Sequence, residues 1–198
     1  MKTKILSLAM MFVVTLGLTK STYAATADYT ILNNVKAINK IEVHGNVELF
    51  ISDNSTEQLK VYNKYYSESA LVQSSNGVLR ISSYNAEKLV VWISSDNLRA
   101  VSAYDNAEVR SFGNISKIEF NVELHDNATA NLDLNVYSAV VTLKDHAKIE
   151  LRGTANEFSL NSNVNSTFSN QNFSAVNFTE NKMIAQAETS EYNLSGLE

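Results

Sequence analysis

The chain has 198 residues, with 44% hydrophobic and 19% charged, no cysteine, no proline and only 6 glycines; 16 Lys+Arg against 21 Asp+Glu give a formal charge of −5. Without cysteine there is no disulfide framework, thiol nucleophile, CxxC redox pair or Cys-ligated zinc or iron–sulfur site, and without proline no collagen-like repeat or polyproline linker. The acidic balance and the absence of any basic cluster exclude nucleic acid as a partner, because phosphate backbones are repelled.

Lys2 and Lys4 precede an apolar run from Ile5 to Val14 that extends through Leu16 and Leu18, followed by Ser21-Thr22-Tyr23-Ala24 with small residues before the cut. This pattern predicts a secretory signal over residues 1–24. About 14 apolar residues fall short of the roughly 20 that cross a bilayer, so no membrane span is expected once the signal is cleaved. Cleavage leaves 25–198 as one domain with 13 basic and 21 acidic residues, a formal charge of −8. A chain without cysteine cannot take the usual lipid at its new N-terminus. The expected product is exported, to the periplasm, the cell surface or the medium.

Residues 35–97 alternate apolar and polar positions: Ile41 and Val43; Val47, Leu49 and Ile51; Leu59 and Val61; Leu79 and Ile81; Leu89, Val91 and Ile93. Period two means strands. Asp53 to Thr56 and Ser74 to Gly77 carry turn residues, so these strands are expected to be short and antiparallel; only Ser67 to Gln73 permits a helical turn.

Residues 98–187 change character. Tyr104-Asp105-Asn106-Ala107, His125-Asp126-Asn127-Ala128 and Lys144-Asp145-His146-Ala147 recur with their aspartates 21 and then 19 residues apart. Alternating segments flank them: Val101 and Ala103, then Ile118, Phe120, Val122 and Leu124, then Val141 and Leu143. Weaker copies follow at Phe158/Leu160 and Val176/Phe178, at a spacing of about 18. A unit of 18 to 21 residues cannot bury its own apolar face, and stacking successive units in register solves this. The predicted fold is all-β, with the N-terminal strands leading into a parallel β-helix, or solenoid, of about 18–21 residues per rung. An antiparallel sandwich is the competing arrangement. The tail, 188–198, is expected to cap the last rung.

The residues that open the strand region, Ile41-Glu42-Val43-His44-Gly45, then Val47 to Ile51, then Asn76-Gly77-Val78-Leu79-Arg80-Ile81, followed by stacked corner repeats, resemble the putative auto-transporter adhesin head GIN domain family over about residues 35–185. The resemblance implies a right-handed β-helix, an exported bacterial protein and an adhesin-like role, with no catalytic residue to carry over. The corners depart from the family, which commonly places Gly-Ser-Gly-like residues where Asp-Asn-Ala or Asp-His-Ala stands here.

Stacked corners would align Asp105, Asp126 and Asp145 with Asn106, Asn127 and His146 beside them. A carboxylate ladder could take Ca²⁺, but the DxDxDG loop is missing, and Asp and Asn suit corners by bonding backbone; no metal and no cofactor is expected. The histidines form no HExxH pair, and no GxSxG elbow singles out a serine. Trp92 and Tyr104 lie in an aromatic-rich stretch, and such rings either pack or present a platform to sugars and proteins. The ligand-binding candidates are therefore Asp105, Asn106, Asp126, Asn127, Asp145, His146, Trp92 and Tyr104. The expected function is a non-catalytic envelope or surface module for a cell-surface glycan or envelope protein. The alternative is a carbohydrate-active β-helical lyase or hydrolase.

Overall fold

Alternation becomes burial: in Lys40–Gly45, Val47–Ser52 and Leu89–Ser94 every second residue is buried, as strands with one face on a core require. The computed structural model describes residues 29–32, 37–62 and 70–183. They form one mixed sheet of twelve strands: β1 (Thr30–Leu32), β2 (Lys40–Gly45), β3 (Val47–Ser52), β4 (Gln58–Tyr62), β5 (Ala70–Ser75), β6 (Val78–Ser83), β7 (Leu89–Ser94), β8 (Ala100–Ala103), β9 (Glu108–Leu124), β10 (Thr129–Leu143), β11 (Lys148–Ser162) and β12 (Thr167–Lys182). There is no helix among the described residues. The expected signal, 1–24, and the tail, 188–198, lie outside them. So do residues 67–69 of the anticipated helical turn, whose remainder, from Ala70, is strand β5.

The long strands β9 to β12 pair in parallel, each with the next. Phe120 lies beside Ala139, Ala139 beside Phe158 and Phe158 beside Phe178, offsets of 19, 19 and 20 residues. Phe120, Ala139 and Phe158 are buried, alternating large and small along the stack. One apolar core runs through Ile41, Leu49, Ile81, Val91, Val101, Phe120, Leu132 and Leu160.

Parallel pairing extends further toward the N-terminus than the sequence predicts. β2 pairs in parallel with β6 and β8, and β3 with β7 and β9. Among the described residues only β1–β4, β4–β7 and β5–β6 are antiparallel. The expectation of antiparallel N-terminal strands is thus corrected: they are mixed. Period two says which face a residue takes and nothing about direction. At Gly45-Asn46 the chain does not reverse, because the Asn46 amide donates to Ser83 O at 2.6 Å and the Leu89 amide to Asn46 O at 3.0 Å, both in a neighbouring layer. A true reversal does occur at Asn76 and Gly77, both with positive φ (51° and 78°), where β5 folds back on β6.

Ile118 departs from the expected inward row and is exposed. Ile118 and Glu119 both face outward, so alternation slips as β9 bends between buried Ile115 and Phe120. Val176 is likewise exposed.

Candidate functional site

At the three corners, Asp105, Asp126 and Asp145 adopt the left-handed conformation, with φ of 60°, 54° and 57°. Asp tolerates this region better than most residues because its short side chain can bond nearby backbone. The turns close through amides of Ala107, Ala128 and Ala147 donating to the carbonyls of Tyr104, His125 and Lys144 at 2.9–3.1 Å. These alanines are fully buried, so the third residue of each motif is a core position with room for a methyl.

The carboxylates act between layers. The Gly45 amide donates to Asp105 Oδ2 at 2.9 Å, the Asp105 amide to Asp126 Oδ2 at 3.0 Å and the Asp126 amide to Asp145 Oδ2 at 3.1 Å. Each corner aspartate thereby satisfies a backbone donor in the layer before it, a charge-assisted bond that fixes register. One oxygen of each of the three is engaged in this way, and among the described residues no group of three or more His, Asp or Glu is placed to hold a metal ion. Asn106, Asn127 and His146 point outward beside the ladder and are exposed. Tyr84 Oη donates to Asp105 Oδ2 at 3.3 Å; desolvation and this carboxylate push the phenol up.

One residue before each corner runs a second outward row. His44 stacks on Tyr104 with ring centroids 4.4 Å apart, and Tyr104 on His125 at 4.6 Å. Glu123 accepts from His125 Nε2 at 3.0 Å and Lys144 Nζ at 3.2 Å. Burial raises the Glu123 carboxyl, but those two partners outweigh it and hold it below the usual value. Tyr104 is therefore sandwiched between two imidazoles, a packed row rather than an open platform.

Trp92 is different. It lies beside Phe50 on β3, with centroids 5.9 Å apart, and Phe112 tilts onto it at 4.6 Å. Phe112 reaches this place through a bulge: β9 uses Arg110 to Asn114 where β10 uses only Asn131 to Asp133. The two additional residues are the reason the first corner spacing is 21 and the second 19. Gly113 takes φ 80° at the bulge with nothing near its Cα face. The Asp133 amide donates to Ser111 Oγ at 2.8 Å and Asn114 Nδ2 to Asp133 Oδ1 at 3.0 Å, tying the bulge down. Phe112 is 62% exposed. Beside it, Arg110 is held by Glu48 at 2.9 Å and Glu108 at 3.3 Å. Lys88 and Arg110 both hold Glu108 below the usual carboxylate range, the hydrogen bond from Lys88 first.

The structure thus brings Asp105, Asp126 and Asp145 together as a ladder and keeps Trp92 and Tyr104 in separate rows. The sequence does not single out Phe50, Phe112 and Arg110 around Trp92, and it offers His44 and His125 only as candidate metal ligands or bases, whereas they stack on Tyr104. The unequal 21 and 19 spacing was the available signal for Phe112. Two hollows of about 390 and 550 Å³ flank Arg99, lined by such residues as Asp96, Lys117, Asn39 and Lys40. None of the sequence-predicted site residues lines them.

A family model described as putative auto-transporter adhesin, head GIN domain, matches residues 37–189. The chain belongs to this family. The crystal structure of a putative adhesin from Bacteroides fragilis is similar with a TM-score of 0.70 at 16% identity, covering 78% of this chain and 75% of that one. A putative adhesin from Parabacteroides merdae gives 0.57 at 13% identity, over 78% and 76%. A putative lipid binding protein from Parabacteroides distasonis gives 0.58 at 10% identity, over 78% of each chain. At such identities the likeness is one of fold. No curated protein matches the chain. The GIN-domain assignment agrees with the resemblance drawn from Ile41 to Ile81 and the corner repeats, and makes the chain a member of an adhesin-like family. Among its described residues no helix is long and apolar enough to cross a membrane.

Proposed function

We propose that this GIN-domain chain is an exported, non-catalytic binding module whose layers form a right-handed parallel β-helix and whose outer face engages a cell-surface glycan or an envelope protein. One observation carries the reading: Phe112 is lifted out on a two-residue bulge, 62% exposed, against Trp92, beside the ion-paired Arg110. An exposed aromatic costs solubility and offers the core nothing, whereas aromatic rings flanked by an arginine are the usual anchors of recognition surfaces. The regular polar rows around it supply further weak contacts, so affinity accrues over the face. The ladder carboxylates bond backbone amides, and this supports a scaffold role for them over a catalytic or calcium-binding one.

Trp92 is the only tryptophan in the chain, so its emission reports on the proposed surface directly. The test is a fluorescence titration of the exported protein with a panel of envelope oligosaccharides and purified envelope proteins, repeated for Phe112→Ala. A saturable change in emission that Phe112→Ala weakens about tenfold or more is expected, the loss typical of an anchor residue. Binding indifferent to Phe112→Ala, no binding across the panel, or new reducing ends or unsaturated sugars in the glycan samples would each overturn the proposal.

A further inference from the structure

The sheet ends on β12, whose outer edge pairs with no other strand among the described residues. β12 is 16 residues long, whereas the strands at the other extremity of the sheet, β1 and β5, have 3 and 6. Natural sheets blunt exposed edges with short strands, lysines, prolines or bulges. From Thr167 to Thr179 there is no charged residue and no proline. β12 carries one irregularity, where Glu150 and Arg152 of β11 face Ser169 and Asn172.

The inward side chains of this last layer are only partly covered. Phe168 pairs with buried Ile149, Phe173 with Gly153 and Phe178 with buried Phe158. Phe158 gathers all three, with ring centroids 5.5, 4.9 and 5.5 Å away. In any earlier layer such positions are closed by the next strand; here Phe178 is 50% exposed. Further along, the inward positions above Leu160 and Ser162 hold Glu180 and Lys182, ion-paired at 3.0 Å, so the apolar end face stops there.

We infer that β12 is a self-association surface, on which a second copy of this chain places its own β12 edge to edge. Three features point to a copy of the same chain. First, the stretch from Thr167 to Thr179, which carries no charge, meets its own twin without the like-charge repulsion that an acidic chain otherwise imposes. Second, an edge about 50 Å long and about 10 Å deep hides about 500 Å² per copy and about 1,000 Å² in all, the lower limit for a specific interface. Third, among the described residues no strand at the opposite extremity matches β12 in length, which disfavours head-to-tail growth and favours a closed two-fold pair.

The test is mass by sedimentation over a concentration series reaching about 100 μM, a range that covers the weak association found at the low end of interface size. The full exported protein should sediment as two chains at high concentration and one at low. Phe178→Lys should remove the dimer while leaving the far-ultraviolet circular dichroism unchanged, and Ile118→Lys, on an exposed site of β9, should leave it intact. Hydrogen exchange on the unmodified protein gives a readout independent of any variant: β12 amides should gain protection as concentration rises. A monomer throughout, a dimer that survives Phe178→Lys, a mass that grows without limit, or β12 protection independent of concentration would each overturn the inference. So would a chain ended after Met183 that dimerises where the full chain does not, since the occupant would then be residues 184–198.

Discussion

The two ends of the sheet solve the edge problem in opposite ways. At the N-terminal end, β4 folds back antiparallel on β7 and β5 on β6, so the parallel layers finish against strands that run the other way and are short. At the C-terminal end the last parallel strand is the 16-residue β12, which pairs only with β11 among the described residues. The inward residues show the consequence: Leu59 on β4 and Leu79 on β6 are buried, while Phe178 on β12 is half exposed. Identical alternation therefore makes core at one end and surface at the other, because burial depends on whether a further strand arrives.

The middle of the stack should be the most sensitive. Phe120→Ala, at a fully buried side chain on a strand with neighbours on both sides, should cost about 3–5 kcal/mol in urea denaturation. Leu59→Ala tests the closed end and should cost about 2–5 kcal/mol, since β4 completes the core there. Phe178→Ala is the matching probe of the open end and should cost less than about 1 kcal/mol in dilute, monomeric protein. Equal losses for Leu59→Ala and Phe178→Ala would break the contrast between the ends.

The corner ladder sharpens the comparison, because it links β2, β9, β10 and β11 and stops before β12, where Val164 follows in the corner position after Asp145. Asp126→Ala leaves the Asp105 amide without its acceptor and puts alanine at φ 54°; a loss of about 1–3 kcal/mol is expected by thermal denaturation. Asp126→Asn keeps an acceptor and a residue at ease in that conformation and should lose less.

Acid should weaken the outward ion pairs. Glu42 is drawn down chiefly by the hydrogen bond from Lys40, Glu108 by that from Lys88, and Glu123 by His125 and Lys144 against an opposing burial effect. Each has a folded value below the ordinary 4.5, so its contribution is fully present above about pH 4.5. That contribution is lost as pH falls through the lower folded values. The melting temperature should therefore begin to fall below about pH 4.5, and Lys88→Ala should make that decline shallower.

Much of this was legible beforehand. Asp105, Asp126 and Asp145, with alternating Phe120, Val122 and Leu124 between them, announced stacked units, and Ile41 to Ile81 announced the family. Strand direction was not legible around Gly45-Asn46, because a corner and a hairpin use the same residues and differ only in where their amides find acceptors. In the sequence the aspartates are corner formers expected to bond local backbone; in the structure their partners lie 19, 21 and 60 residues away, a distance that only the parallel pairing creates. Phe112 was hidden because two additional residues in a 21-residue spacing look like slack until the register shows a bulge.

Hydrogen exchange on dilute protein tests the contrast between the ends most directly. Exchange should be slow in β3, β7 and the corner amides of Gly45, Asp105 and Asp126, and fast along β12. β12 amides as protected as those of β10 under the same dilute conditions would contradict it.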